Sequence, residues 1–128
     1  MISFEELQIQ DGSPMYAQMI RYIKHGMIAG TIRDGDELPS RRMLSALLGI
    51  NPNTIQKAYR LMEAEQLIVS HTGAKSYVTL DEKKIADIRA KQVEEDATTF
   101  VTAMKQMGIS KKEVSLLLEK VWNRKGER

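Results

Sequence analysis

Amide and cationic side chains share one face of a helical run between Asn53 and Met62. When each residue is turned by about 100° from Ile55, the apolar residues Ala58, Tyr59 and Met62 fall on the same side of the helix. The opposite side carries two amides and two cations: Asn53, Gln56, Lys57 and Arg60. Amides pair with adenine edges and cations neutralise phosphates, so this face predicts contact with double-stranded DNA. An ordinary solvated face of an amphipathic helix is the alternative.

The distribution of charge supports that prediction better than the net charge of +2 does. From Leu38 to Met62 the sequence contains four cations and no Asp or Glu, and a carboxylate there would repel a phosphate backbone. Two of these cations, Arg41 and Arg42, fall in the first turn of a predicted helix, where a guanidinium fork suits a phosphate or a groove. A chance gap between acidic residues, with both arginines facing solvent, is the alternative.

Caps and breaks predict the helices that position these residues. Ser13–Pro14 opens a first helix, which ends at Gly30. Its buried face is predicted to contain Tyr16, Met19, Ile20, Ile23 and Met27. Ser40 caps a second helix, Gly49 stops it, and Asn51–Pro52 opens a third. The apolar side of the second helix is predicted to contain Met43, Leu44, Leu47 and Leu48.

Two β-prone runs follow, Leu67–Val69 and Tyr77–Leu80, on either side of the turn His71–Ala74. Their spacing predicts a two-stranded hairpin, the wing of a winged helix-turn-helix. At its tip, Gly73 allows the backbone to approach a sugar-phosphate closely, and Lys75 can neutralise a phosphate. An ordinary hairpin turn is the alternative for this tip.

From Asp81 onward the pattern is helical again. A long helix carries one apolar stripe before Gly108 breaks it: Ile85, Val93, Ala97, Phe100, Met104 and Met107. The capping box Ser110–Glu113 opens a last helix. Leu116 lies about 160° from the main apolar face of that helix, so one side can cover the long helix and the other a second copy of the chain. The residues predicted to form a dimer interface are Phe100, Met104, Met107, Leu116, Leu117, Val121 and Trp122.

The predicted fold class is mainly α with a small β-hairpin. A winged helix-turn-helix domain is predicted over residues 1–80, and a two-helix dimerisation domain over residues 81–128. The apolar fraction of 42% is enough for a modest core.

Catalytic and metal-binding patterns are missing from the sequence. It contains no cysteine, which excludes disulfides and cysteine-ligated zinc, and its two histidines, His25 and His71, have no neighbours at ligand spacing. No Gly-rich phosphate loop or nucleophile elbow occurs, and the acidic cluster Glu94–Asp96 fits a solvated helix. We therefore predict no enzyme activity, no metal site and no cofactor. The start of the chain lacks a signal-peptide pattern and no apolar run could span a bilayer, so a cytoplasmic protein without a membrane partner is expected.

Residues 14–80 resemble the DNA-binding signature of the GntR-type transcriptional regulators. The matching positions are Gly30, Gly35, Leu38–Ser40, Arg42, Leu44, Leu47, Gly49, Thr54, Ala58–Tyr59, Leu61–Glu63, Leu67–Ile68 and Gly73. The run Asn51–Tyr59, together with the short segment after the wing, resembles the YtrA-type subgroup. That resemblance implies a homodimer formed through two C-terminal helices, a palindromic operator, and a repressor of a transporter-linked operon.

The resemblance also implies roles for individual residues. The positions that align with the family's DNA contacts are Arg42 at the groove, Asn51, Asn53 and Thr54 at the start of the recognition helix, and Thr72 and Gly73 in the wing. With the residue chemistry above, the full predicted set of DNA contacts is Ser40, Arg41, Arg42, Asn51, Asn53, Thr54, Gln56, Lys57, Arg60, Thr72, Gly73 and Lys75.

Two alternatives to a simple DNA-binding repressor stay open. One is a regulator that holds a small-molecule effector between its C-terminal helices, where only a small cavity would fit. The other is a winged-helix module that binds protein. An acidic recognition helix would favour the second alternative, whereas the predicted face here is basic.

Overall fold

The computed structural model describes residues 1–10, 12–71 and 75–125, and helices dominate it. The helices are α1 (Met15–Ala29), α2 (Arg41–Leu48), α3 (Pro52–Ala64), α4 (Glu82–Gln106) and α5 (Lys111–Lys125). The strands are β1 (Glu37–Leu38), β2 (Ile68–His71) and β3 (Lys75–Val78). The predicted fold class, mainly α with a small hairpin, is confirmed.

Most helix ends lie where the sequence predicts them. The Ser40 hydroxyl accepts a hydrogen bond from the Met43 N–H at 3.1 Å, and the Asn51 side chain accepts one from the Asn53 N–H at 2.8 Å. Gly49 ends α2 in the left-handed region, at φ 66°. The predicted cap at Ser13 is wrong, because the next residue, Pro14, still has extended backbone (ψ 141°) and its carbonyl accepts the first helical hydrogen bonds.

The predicted wing is present, but it belongs to a sheet of three strands. β2 and β3 pair antiparallel, and β1 pairs with the other edge of β3, which gives the order β1-β3-β2. The Gly35 N–H donates to the Val78 carbonyl, and the Val78 N–H donates to the Asp36 carbonyl, both at 2.8 Å. A strand of two residues is too short to show an alternating pattern, so the prediction of a two-stranded sheet was wrong.

One hydrophobic core joins α1, α2, α3 and the sheet. Its buried residues are Ile2, Phe4, Met19, Ile23, Met27, Ile32, Leu38, Leu44, Ile55, Ala58, Tyr59, Met62, Leu67, Ile68 and Val78. On α2 the covered stripe follows Arg41, Leu44 and Leu48, whereas Met43 and Leu47 are 50% and 66% exposed. The predicted burial of these last two residues is wrong, because a helix of two turns covers only one narrow stripe.

The N-terminal arm is part of this core, which the sequence did not predict. The Ile2 N–H donates to the Glu37 carbonyl at 2.8 Å, so the arm is attached to β1. The ring of Phe4 stacks on that of Tyr22 with 5.3 Å between centroids. The Tyr22 hydroxyl donates to the Ser3 carbonyl at 2.8 Å. The arm therefore closes the core on the α1 side.

Backbone contacts divide the chain into two compact units, Met1–Ala90 and Lys91–Arg128. The predicted domain boundary near Leu80 stays a prediction about independent folding. Asp81 caps α4, as its carboxylate accepts from the Lys84 N–H at 2.8 Å. Ser110 caps α5 in the same way at 3.2 Å, and the turn between the two helices contains Gly108 at φ 73°. Every helix within residues 1–10, 12–71 and 75–125 is too short or too polar to cross a bilayer.

Candidate nucleic-acid interface

Helix α3 has one buried face and one exposed face. Ile55, Ala58, Tyr59 and Met62 are buried, with at most 1% of each residue exposed. The exposed residues on the other side are Asn53, Gln56, Lys57 and Arg60. The predicted division of the helix into an apolar and a polar side is therefore confirmed, and the amides reach solvent from the first two turns.

The turn between α2 and α3 is fixed by local hydrogen bonds. The Ser45 hydroxyl donates to the Ile50 carbonyl, which ties the middle of α2 to the residue before the cap of α3. The side chains of Ser40 and Asn51 are already used as helix caps, so their oxygen atoms serve the backbone first. Thr54 is half-buried beside the cap. Among the polar residues at this end of α3, Asn53 and Gln56 have the most exposed side chains.

The predicted phosphate-binding cations fall into two groups. Arg42, Arg60 and Lys75 are exposed. Lys57 lies with its ammonium 4.0 Å from the centroid of the Tyr16 ring, and Arg41 lies 5.0 Å over the Tyr59 ring. The second group is therefore held by contacts within the chain, and the first group is not.

Tyr59 anchors the segment in front of α2. Its hydroxyl donates a hydrogen bond of 2.6 Å to the Pro39 carbonyl. Burial raises the pKa of the Tyr59 phenol well above its usual value, and the guanidinium of Arg41 opposes that rise. The phenol therefore stays neutral and keeps its proton for the bond to Pro39.

Comparisons with known proteins identify the module. The family described as "Bacterial regulatory proteins, gntR family" matches residues 15–78, which is half of the chain. The chain belongs to the GntR family. It is a transcriptional regulator with a DNA-binding helix-turn-helix and not an enzyme, as the sequence predicts.

Relatives of similar length support the YtrA-like subgroup within the GntR family. The "HTH-type transcriptional repressor YtrA" of Bacillus subtilis is 30% identical over 116 residues, which cover 91% of this chain and 85% of the repressor. The "Uncharacterized HTH-type transcriptional regulator YhcF" of the same organism is 29% identical over 107 residues, 84% of this chain and 88% of the relative. The solved "GntR family transcriptional regulator from Listeria monocytogenes" matches with a TM-score of 0.73 at 31% identity, over 88% of this chain and 98% of that one.

The wing of this GntR-family chain is described only in part. Lys75 is exposed at the start of β3 and pairs in register with His71, while Thr72 and Gly73 lie outside the described residues. Behind the tip, the hydroxyls of Ser70 and Ser76 share a hydrogen bond of 3.0 Å across the two strands. The assignment of DNA contacts to individual residues, in the wing and in α2 and α3, stays a prediction.

Sequence reasoning did not identify Glu63 as part of this region. Its carboxylate lies 3.2 Å from an Nη of Arg41, and the two residues are separated by 22 positions, so no local motif connects them. The available signal was helical spacing, because Glu63 follows Tyr59 by four residues and so lies above it on α3. No group of three or more His, Asp or Glu side chains within the described part of the chain could hold a metal ion.

Proposed function

We propose that this GntR-family regulator is a sequence-specific repressor that binds a palindromic operator as a homodimer in the cytoplasm. The observation that carries the proposal is the exposed face of α3, which presents amides and cations from a helix whose other face is locked into the core. The YtrA relative is named a repressor, which supports the direction of regulation. A transporter-linked operon is the target that the subgroup resemblance favours.

The residues divide into base readers and phosphate binders. Asn53 and Gln56 extend from the start of α3 and would pair with base edges in the major groove. Arg42, Arg60 and Lys75 are exposed cations that would neutralise phosphates. The wing residues Thr72 and Gly73 would contact the adjoining backbone.

A second copy of the chain is the partner we propose for the C-terminal helices. No residue of α4 is buried, and the apolar side chains beyond Ala90 stay exposed. The most exposed are Val93, Val101, Met107, Leu116, Leu117, Leu118 and Trp122, with 42–77% of each residue exposed. An apolar surface of this kind on a soluble regulator marks an interface. Two identical subunits would then require an operator with two-fold symmetry.

Selection from a library of random duplexes tests the proposal. Full-length protein should enrich inverted repeats whose half-sites lie about one helical turn apart. With three exposed cations per subunit, the slope of log K against log salt should be about −5 for the dimer. Enrichment of no sequence, or binding that salt leaves unchanged, would contradict sequence-specific binding by this face.

The direction of regulation needs a separate measurement. The enriched operator is placed between a promoter and a reporter, and the regulator is expressed from an inducible plasmid. Repression predicts that reporter output falls as the regulator accumulates and recovers when Gln56→Ala replaces it. A rise in output would identify an activator. The alternatives of an effector between the C-terminal helices and of a protein-binding wing stay untested predictions.

A further inference from the structure

We infer that Arg41 is a positioning residue that fixes the recognition helix α3 against α2, and that it does not bind a DNA phosphate. The inference rests on the proposed DNA interface, and it gives Arg41 a different role from the phosphate contact that its position in the sequence predicts. The phosphate role in this turn is left to the adjacent residue, Arg42.

The guanidinium of Arg41 is occupied on several sides. One Nη donates to a carboxylate oxygen of Glu63 at 3.2 Å, and the group lies 5.0 Å over the ring of Tyr59. Only 25% of the Arg41 side chain is exposed, and its Nε is buried without a hydrogen-bond partner among the described residues. A side chain that points into DNA would instead leave its fork in solvent.

The contacts of Arg41 form part of a larger connection between the two helices. Tyr59 donates its hydroxyl proton to the Pro39 carbonyl at 2.6 Å, two residues before Arg41. A single side chain of α3 thus holds both the segment that precedes α2 and the first residue of α2. Glu63, one turn further along α3, holds the same guanidinium from a second point. Two attachment points on one helix restrict rotation as well as translation.

Release of Arg41 toward DNA would be unfavourable for two reasons. It would uncover the Tyr59 ring, and it would leave the carboxylate of Glu63 without its cation on the same module that approaches phosphates. In its present position Glu63 also offsets the unfavourable interaction of a cation with the positive N-terminal end of α2. The pair is partly exposed, so we expect its main effect on helix position and only a small effect on stability.

Base readout makes the position of α3 important. Hydrogen bonds to base edges need their donors and acceptors within about 0.5 Å of the productive geometry, which neighbouring side chains must maintain. Phosphate contacts tolerate larger shifts, because a point charge acts over a longer distance. Loss of a positioning residue should therefore reduce discrimination between sequences, and loss of a phosphate contact should reduce binding to every sequence.

The test compares full-length Arg41→Met and Arg42→Met on the selected operator and on a scrambled duplex of equal length. Methionine keeps the apolar stem and removes the charge in both variants. Binding is measured over a salt series well below the melting temperature, and circular dichroism checks folding. We expect Arg41→Met to lose about three- to tenfold in operator affinity, with the scrambled duplex and the salt slope unchanged. Arg42→Met should lose affinity for both duplexes, with a slope smaller by about one unit per subunit.

Two results would overturn the inference. A reduced salt slope for Arg41→Met would make Arg41 a phosphate contact, and unchanged affinity for both duplexes would leave it only a structural role. Failure of the proposed function itself has a different signature, since the wild type would then not distinguish the operator from the scrambled duplex.

Arg41→Lys and Glu63→Gln provide independent variants. Lysine keeps the charge but not the planar fork, so a phosphate contact would be restored and the link to Tyr59 and Glu63 would not. Removal of the Glu63 charge should favour binding to any DNA, yet it should lower the ratio of operator to scrambled affinity if it holds Arg41. Full operator affinity in Arg41→Lys would contradict the positioning role. An unchanged ratio in Glu63→Gln would do the same.

Discussion

The two compact units of the chain place their apolar side chains differently. Met1–Ala90 buries aromatic and aliphatic residues from α1, α2, α3, the sheet and the N-terminal arm in one core. Among the described residues from Lys91 onward, none is buried, and apolar side chains of α4 and α5 remain partly or mostly exposed. The two phenylalanines of the chain illustrate the contrast, since Phe4 is 3% exposed and Phe100 is only half-buried.

This contrast teaches that the same sequence pattern can serve two kinds of burial. A helical stripe of apolar residues predicts that the stripe is covered, but it does not tell whether the cover is the same chain or another copy. In the first unit the cover is the chain itself. In the second unit we propose that the cover is a partner subunit, so the stability of that unit should depend on protein concentration.

Trp122→Lys should give the largest effect, because Trp122 is 77% exposed and lies in the proposed dimer interface. A buried tryptophan commonly contributes 2 kcal/mol or more at an interface, and a symmetric dimer contains two copies. We expect the dimer dissociation constant to rise by about a thousandfold, to be measured by sedimentation velocity. Asn123→Lys introduces the same side chain on the polar side of α5 and should leave the dimer intact.

The fluorescence of Trp122 gives an independent measurement, because it is the single tryptophan of the chain. In a dimer its emission should be blue-shifted, and dilution into the monomer range should move the emission to longer wavelength. A wild-type protein that sediments as a monomer at micromolar concentration would end the proposal of a C-terminal dimer.

Phe4→Ala and Phe100→Ala should separate the two units. Phe4 stacks on Tyr22 inside a closed core, and its removal should lower the free energy of unfolding by about 3 kcal/mol at any protein concentration. Phe100→Ala should leave the winged-helix unit stable and weaken only the dimer, so its effect should grow on dilution. Thermal unfolding at two protein concentrations checks both results, and a concentration-independent loss in Phe100→Ala would show that Phe100 belongs to a closed core.

The helix-turn-helix was predictable because its signals are local. Ser40, Gly49 and Asn51 mark helix ends by backbone chemistry that needs no distant partner, and all three act as predicted. Periodicity also identified the buried face of α3 correctly. These signals belong to single helices, so a sequence read without its relatives still shows them.

The missed features depend on residues that are far apart in sequence. β1 exists because Leu38 lies opposite Ser76, and the N-terminal arm is ordered because Ile2 bonds to Glu37. The link from Arg41 to Glu63 has the same character. None of these partners can be chosen from spacing alone, which is why the predicted phosphate role of Arg41 rested on charge and not on contact.

Gln56→Ala addresses the recognition face of the first unit. The side chain is exposed, so its removal should not affect folding. If Gln56 reads a base, the variant should lose about 1–3 kcal/mol on the operator and little on random DNA. Gln8→Ala removes another exposed glutamine, in the N-terminal arm, and should change neither affinity. Equal losses of Gln56→Ala on operator and random DNA would reassign Gln56 to phosphate contact and leave Asn53 and Thr54 as the base readers.

Tyr59→Phe should give the smallest effect and tests whether the first core is closed at alkaline pH. The variant loses the hydrogen bond to the Pro39 carbonyl, at a cost of about 1 kcal/mol near neutral pH. Because burial raises the pKa of Tyr59 in the folded state, its neutral phenol contributes stability that is present below the unfolded pKa of about 10 and is lost as the pH rises above it. Urea unfolding from pH 8 upward, to beyond about pH 10, should therefore show wild-type stability falling more steeply than that of Tyr59→Phe, since the variant has no phenol to ionise. Other titrating groups are common to both proteins and cancel in the difference. Equal slopes would mean that the phenol ionises as readily in the folded chain as in the unfolded one, and the core around α3 would then be open to water.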